Sequence, residues 1–244
     1  MYETSSAIIA VILGGHGDIE HRTALGFTLG SSRSIQERLA VTASNDSFVI
    51  GYAQQSYVPL VPPTCLQATR PSTHVEVAKI NSSGRSLTPS VFPVVADLAE
   101  SLMNLILRSS GDTIMLALSA QPVFEDPDMA SPRLHRFLLD SPTLTGVERP
   151  PLDFGTYTPA IHAGYNFDVL ANGGDFLVAD IHLDSTRTMA LFTTPVSTAH
   201  SDRIVALEAE SLYQGPIVIQ SDTVALVLWE GSPESQVEGK LLTR

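Results

Sequence analysis

Cysteine is almost missing from this chain of 244 residues: Cys65 is the only one. A lone thiol excludes an intrachain disulfide framework and any metal site built on several cysteines. It fits assembly in a cytoplasm better than secretion. Charge is scarce too. Asp, Glu, Lys and Arg supply 16% of the residues, well below the roughly one quarter of an average soluble domain. Lysine occurs only at positions 79 and 240, so arginine makes up the other twelve of the 14 basic residues. No cluster of basic residues exists and the net charge is −12. Both facts argue against direct contact with nucleic acid, whose binding depends on clustered Lys and Arg neutralising phosphates.

Long apolar runs of membrane type are lacking as well. The stretch Ala7–Leu13 is apolar over seven residues and follows Glu3, too short for a membrane span and without a signal peptide's basic start. It reads as a buried strand. The chain has no G-x-S-x-G elbow, and Cys65 lies in a proline-flanked segment with no histidine near it, so nucleophilic catalysis finds no anchor. No internal repeat of fixed period is visible.

What is present is strand-like sequence. Residues 74–80, HVEVAKI, alternate His74, Glu76 and Ala78 against Val75, Val77 and Lys79, as a half-exposed strand does. Residues 112–120, DTIMLALSA, are almost continuously apolar, the mark of a strand buried on both faces. Asn172-Gly173-Gly174 supplies the positive φ angles of a tight turn between GYNFDVL and DFLVADIHLD. PIVIQ and TVALVLWE face each other across Ser221-Asp222 as a second hairpin, followed by a polar tail from Gly231.

Helical signals are fewer. Val94, Leu98, Leu102, Leu105 and Ile106 recur at helical spacing, opposite Asp97, Ser101, Asn104 and Arg108. With Ser90 as a cap, Pro93 in the first turn and Gly111 as a stop, this predicts one amphipathic helix over about 91–110. Short helices are expected over 35–39 and 134–139, and 201–213 reads as helix or strand. The predicted fold is therefore mainly β (α+β), an antiparallel β-sandwich or jelly-roll-like core with that one prominent helix. A single domain is expected over 1–244, with a Pro-rich arm near 58–64 and an extended Pro-rich loop excursion near 121–158.

Candidate chemistry is thin. Gly14-Gly15-His16-Gly17-Asp18 follows a strand, but a dinucleotide loop would need its third glycine where Glu20 stands, so a hairpin turn is the better reading. His16, Asp18, Glu20 and His21 include imidazole and carboxylate ligands of a kind that suits zinc or manganese. Asp180, His182 and Asp184 share one strand face. Glu125, Asp126 and Asp128 lack both EF-hand spacing and a defined carboxylate pair. In each case a solvated surface is the plainer account.

No cofactor, metal site or catalytic residue is therefore expected, and the chain reads as a non-enzyme. A low-charge exterior with long Pro-rich segments points to a structural assembly protein: a virus capsid component, as an outer, clamp or decoration subunit. Its partners would be copies of itself and another shell protein, with no nucleic acid and no membrane span. Its place would be the virion, after assembly in the host cytoplasm. Two other readings stand beside this one. The first is a soluble hydrolase whose loops gather His16, Asp18, His182 and Asp184. The second is a monomeric binding module that uses 121–158 as its recognition surface.

Overall fold

A computed structural model describes residues 8–27, 36–59, 69–122, 133–153, 167–172, 175–182, 188–195, 203–208, 214–220, 224–231 and 236–243. The strands within them pair antiparallel throughout and form five sheets. Sheet I holds β1 (Ile8–Leu13) and β2 (Ile19–Leu25). Sheet II is a meander of β3 (Gln36–Ser44), β4 (Ser47–Pro59), β5 (Thr69–Asn81) and β6 (Ser86–Leu98). Sheet III repeats that plan with β7 (Glu100–Ser110), β8 (Thr113–Pro122), β9 (Arg133–Asp140) and β10 (Gly146–Asp153). Sheet IV does so again with β11 (Asp168–Asn172), β12 (Asp175–His182), β13 (Thr188–Pro195) and β14 (Arg203–Glu208). Sheet V has β15 (Gln214–Gln220), β16 (Val224–Gly231) and β17 (Gln236–Thr243). Every hydrogen-bonded neighbour is the next strand in sequence.

The sheets pack in series. Ile50, Tyr52, Ala78 and Ile80 of sheet II meet Leu25 of sheet I and Phe27 just beyond it. The opposite face of sheet II, with Val49, Ala53, Val75 and Val77, packs on Leu102, Leu105, Leu107, Leu116, Leu118 and Phe137 of sheet III. Sheet III in turn lays Met115, Ala117, Leu134 and Leu138 against Val169, Phe176 and Val178 of sheet IV. Side chains alternate faces along a strand, so a sheet covered on both sides is apolar at every position. Strand β8 shows this, with Ile114 to Leu118 fully buried. Each such Leu or Ile contributes about 1.5–3 kcal/mol by leaving water. The first strands also touch in succession: β3 meets β7, β7 meets β11, and β11 meets β15.

The mainly β, antiparallel expectation holds, and both predicted hairpins are present as β11 with β12 and β15 with β16. The helix over 91–110 is a correction. Those residues lie in β6 and β7, and no helix occurs among the described residues. The cause is double burial. Leu105 and Leu107 face sheet II while Ile106 faces sheet IV, and a strand apolar on both sides contains every i, i+4 pair that an amphipathic helix would show. Pro93 sits on β6, the edge strand of sheet II, where a missing N–H is tolerated. Double burial likewise turns 134–139 into β9, and the first-strand position turns 36–39 into β3. Residues 203–208 resolve as strand β14, and β17 replaces most of the expected polar tail. Of the two Pro-rich segments, 58–59 end β4 and 133–153 form β9, a turn and β10; their remaining parts, 60–64 and 123–132 with 154–158, lie outside the described residues.

Candidate functional site

In sheets II and III the strands run between two unlike ends. At one end the connections are 45–46, 82–85, 111–112 and 141–145; at the other they include 60–68 and 123–132. Half of the buried polar side chains among the described residues gather toward this second, long-connection end. Gln54, Gln55, Thr73, Glu100, Ser119 and His135 are all buried there, with Glu76, Arg136 and Arg149 nearer mid-strand.

One cluster lies between sheets II and III. Register places Arg133 opposite Ala120 and His135 opposite Leu118, so both side chains share the face that packs on sheet II. Glu100 begins β7 on that same face. Its Oε2 lies 2.9 Å from His135 Nε2, and its Oε1 accepts a 3.4 Å contact from Arg133. The other imidazole nitrogen, Nδ1, lies 3.4 Å from Glu148 Oε1. The imidazole is thus held between a buried and a solvent-reaching carboxylate, since the Glu100 side chain is 10% exposed and Glu148 52%. Burial alone would lower the histidine pKa; hydrogen bonds and charge from Glu100, then Glu148, outweigh it and raise the pKa above its usual value. Sheet II closes the floor. Thr73 donates its hydroxyl to the Glu100 carbonyl at 2.8 Å, and Gln55 Oε1 accepts from the Leu102 amide at 2.7 Å.

A second cluster lies on the other face of sheet II. The Tyr52 hydroxyl is pushed well above the ordinary phenol range, first by burial and then by the carboxylates of Glu37 and Glu76. His74 Nε2 stands 2.9 Å from Glu76 Oε1. The third group is the fully buried Arg136, on the face toward sheet IV and opposite Arg149 in register, with a 2.7 Å hydrogen bond to the Pro150 carbonyl.

The residues singled out from sequence lie elsewhere. His16, Asp18, Glu20 and His21 are exposed around the β1–β2 turn, which a Gly14 amide to Asp18 carbonyl hydrogen bond of 2.8 Å closes. That turn is a hairpin, as read, and not a nucleotide loop. Asp180 and His182 lie at the end of β12, two sheets beyond sheet II. Asp184, Glu125, Asp126, Asp128 and Cys65 lie outside the described residues. Among the described residues no three His, Cys, Asp or Glu side chains are grouped to hold a metal ion, and no helix is long and apolar enough to cross a membrane. Sequence reasoning missed Glu100, Arg133, His135 and Glu148. The signal was Arg133 and His135 two apart; a helical reading puts them on different faces, whereas a strand puts them side by side.

No family profile matches the sequence, and a comparison with curated proteins finds no match. Among solved structures the chain is similar to a GH32 beta-fructofuranosidase of Bombyx mori, at 12% identity and a TM-score of 0.43 over 86% of this chain. It is similar too to a sucrose complex of a mutant of that enzyme, at 11% identity and a TM-score of 0.43 over 85%. A mutant Trypanosoma rangeli sialidase displaying trans-sialidase activity aligns at 10% identity and a TM-score of 0.43 over 93%. The chain spans 46%, 45% and 38% of those three chains. These matches correct the expectation of a virus capsid component: the similar structures are a fructofuranosidase and a sialidase, not shell proteins. At such identity and TM-score they carry neither substrate nor mechanism to this chain.

Proposed function

We propose that the chain is a hydrolase-type enzyme whose reacting groups sit between the middle and the long-connection end of sheet III. The observation that carries this reading is the imidazole of His135 clasped between buried Glu100 and half-exposed Glu148, with Arg133 beside them. Of the two carboxylates only Glu148 reaches solvent, and so a substrate. Glu148 is the group that meets substrate and draws a proton from the attacking water. His135 and Glu100 are positioning residues: they fix the Glu148 carboxylate. The Arg133 guanidinium, 36% exposed, faces the negative charge that develops on the oxygen of the bond being hydrolysed. An ester and a glycoside both fit that description.

For the scaffold we propose a radial array of meanders, in place of the sandwich or jelly-roll. Consecutive-only strand pairing and the succession of first strands support it. In such an array the ends of the strands, not the sheet faces, are left open for a site.

The test is hydrolysis of a panel of 4-nitrophenyl glycosides and 4-nitrophenyl esters by purified protein. One panel should respond, and Glu148→Gln should lower kcat by about 100-fold or more with the β circular dichroism of the parent. Substitution of His135 by Gln should shift the pH profile of the remaining rate, which a merely structural histidine would leave in place. No release from either panel, or a Glu148→Gln rate equal to that of the parent, would overturn the reading.

A further inference from the structure

Among the described residues sheets II and III are covered on both faces, and sheets I and V are not. On sheet I the outward residues Ile9, Val11 and Leu13 are 58%, 46% and 59% exposed. Leu39 and Val41 of β3 are exposed beside them, at 58% and 59%. Two apolar clefts join these residues. One, of about 340 Å³, is lined by Val11, Leu13, Val41, Phe48, Ile50 and Ile80. The other, of about 220 Å³, runs past Ile9, Leu39 and Val41. A contiguous apolar patch of this kind on a monomer marks an interaction site.

At the far end of the series sheet V presents the complement. Register puts Ile217 and Ile219 of β15 on one face with Leu226 and Leu228 of β16 and with Val237 and Leu241 of β17. Ile217, Ile219, Val237 and Leu241 are 53–74% exposed, while Val227 on the opposite face is fully buried. The makeup of this open face, Ile, Leu and Val on alternate positions, is that of the three sheet-to-sheet interfaces already described.

We infer that a second copy of this chain covers the sheet I patch with the outer face of its sheet V. Three observations select that occupant. The association continues the aliphatic sheet-to-sheet packing that builds each copy. Both halves are carried by every copy, so a two-fold pairing buries both patches of both copies and closes without further growth. On the sheet I side the exposed charged neighbours, Arg22 opposite Val11 and Glu37 on the Leu39 face of β3, are of opposite sign, which suits self-association in a chain of net charge −12, because like charges opposed across an interface are costly.

The experiment is size-exclusion chromatography with light scattering across a broad range of concentration. The chain should run at twice its 26.2 kDa, and added sodium chloride should not dissociate it, since apolar burial is not screened by salt. Val11→Asp and Leu241→Asp should each yield monomers with unchanged β circular dichroism. Mixing those two variants should restore a weaker dimer, because the first keeps an intact sheet V face and the second an intact sheet I patch. A parent chain that stays monomeric at every concentration would overturn the inference, whether its faces close on each other or wait for another protein. So would either variant remaining dimeric alone, which would mean like faces pair.

Discussion

The two ends of sheets II and III are built on opposite principles. At the short-turn end the connections lock each other with hydrogen bonds, among which only Lys79 and the turn carboxylates Asp112 and Asp140 carry charge. Ser44 and Ser141 share a 2.7 Å hydrogen bond, Lys79 Nζ donates to the Ser141 carbonyl at 2.8 Å, and the Ser141 amide donates to the Asp112 carbonyl at 2.7 Å. Asn45 reaches Asp112 Oδ1 at 3.2 Å, so the turns of both sheets are tied in one line. Toward the other end the buried groups are ionic: Glu100, Arg133 and His135, with Glu148 reaching them from mid-strand. A short-turn end of satisfied hydrogen bonds serves stability. Buried charge offers little stability over an apolar replacement, so its concentration toward the long-connection end is where chemistry should be sought.

If that contrast is right, the largest stability change comes from breaking one partner of the ionic cluster. Glu100→Gln keeps the shape but removes the buried carboxylate that His135 and Arg133 both meet, and leaves the buried imidazolium to the half-exposed Glu148. A loss of about 3 kcal/mol is expected, at the low end of what an orphaned buried charge costs, read from urea unfolding. The loss must depend on pH in one direction. The folded pKa of His135 is raised, so its stabilisation is complete below the unfolded value of about 6.5 and is lost as pH rises through the higher folded value. The gap between parent and Glu100→Gln should therefore be widest in mild acid and shrink toward alkaline pH. A gap constant with pH would mean that the cluster is not held by an imidazolium.

Ser141→Ala probes the other end and should do less. It removes the hydroxyl partner of Ser44 and one of two contacts to Lys79, but leaves the carbonyl acceptor and the amide donor in place. About 1–2 kcal/mol is expected, without the pH dependence of the first variant. A larger loss, or one that follows histidine titration, would erase the distinction between the ends.

The same contrast governs what could be read before folding. The turn-end elements were legible because their signals are local: Asn172-Gly173-Gly174 and Ser221-Asp222 mark hairpins whatever the rest of the chain does, and DTIMLALSA is buried as its composition implies. The site was not. Glu100 and His135 are 35 residues apart and meet only because β8 is narrow at Ala120 and lets a long carboxylate side chain cross to β9. Nor was the secondary structure of 91–110 legible, since coverage on both faces depends on how many sheets stack, which no short window contains. His16 and Asp18 drew notice through spacing alone, and spacing within an exposed turn builds no geometry.

The smallest expected effect isolates conformation from contact at the turn end. Gly111 joins β7 to β8 with φ +57, a left-handed backbone that side chains disfavour, and a Cβ built there meets nothing within 4 Å. Gly111→Ala therefore changes no packing and no hydrogen bond; it costs only the left-handed strain, about 1 kcal/mol. Asn at the same position should recover part of that loss, because Asn tolerates the left-handed region, as Asn45 does here at φ 51. Thermal unfolding of parent, Ala and Asn chains at one pH resolves the order. If Ala and Asn lose equally, the cost comes from the Cβ meeting something and not from the backbone angle; the turn end would then be held by packing as well as by its hydrogen bonds, and the two ends would differ less than their chemistry implies.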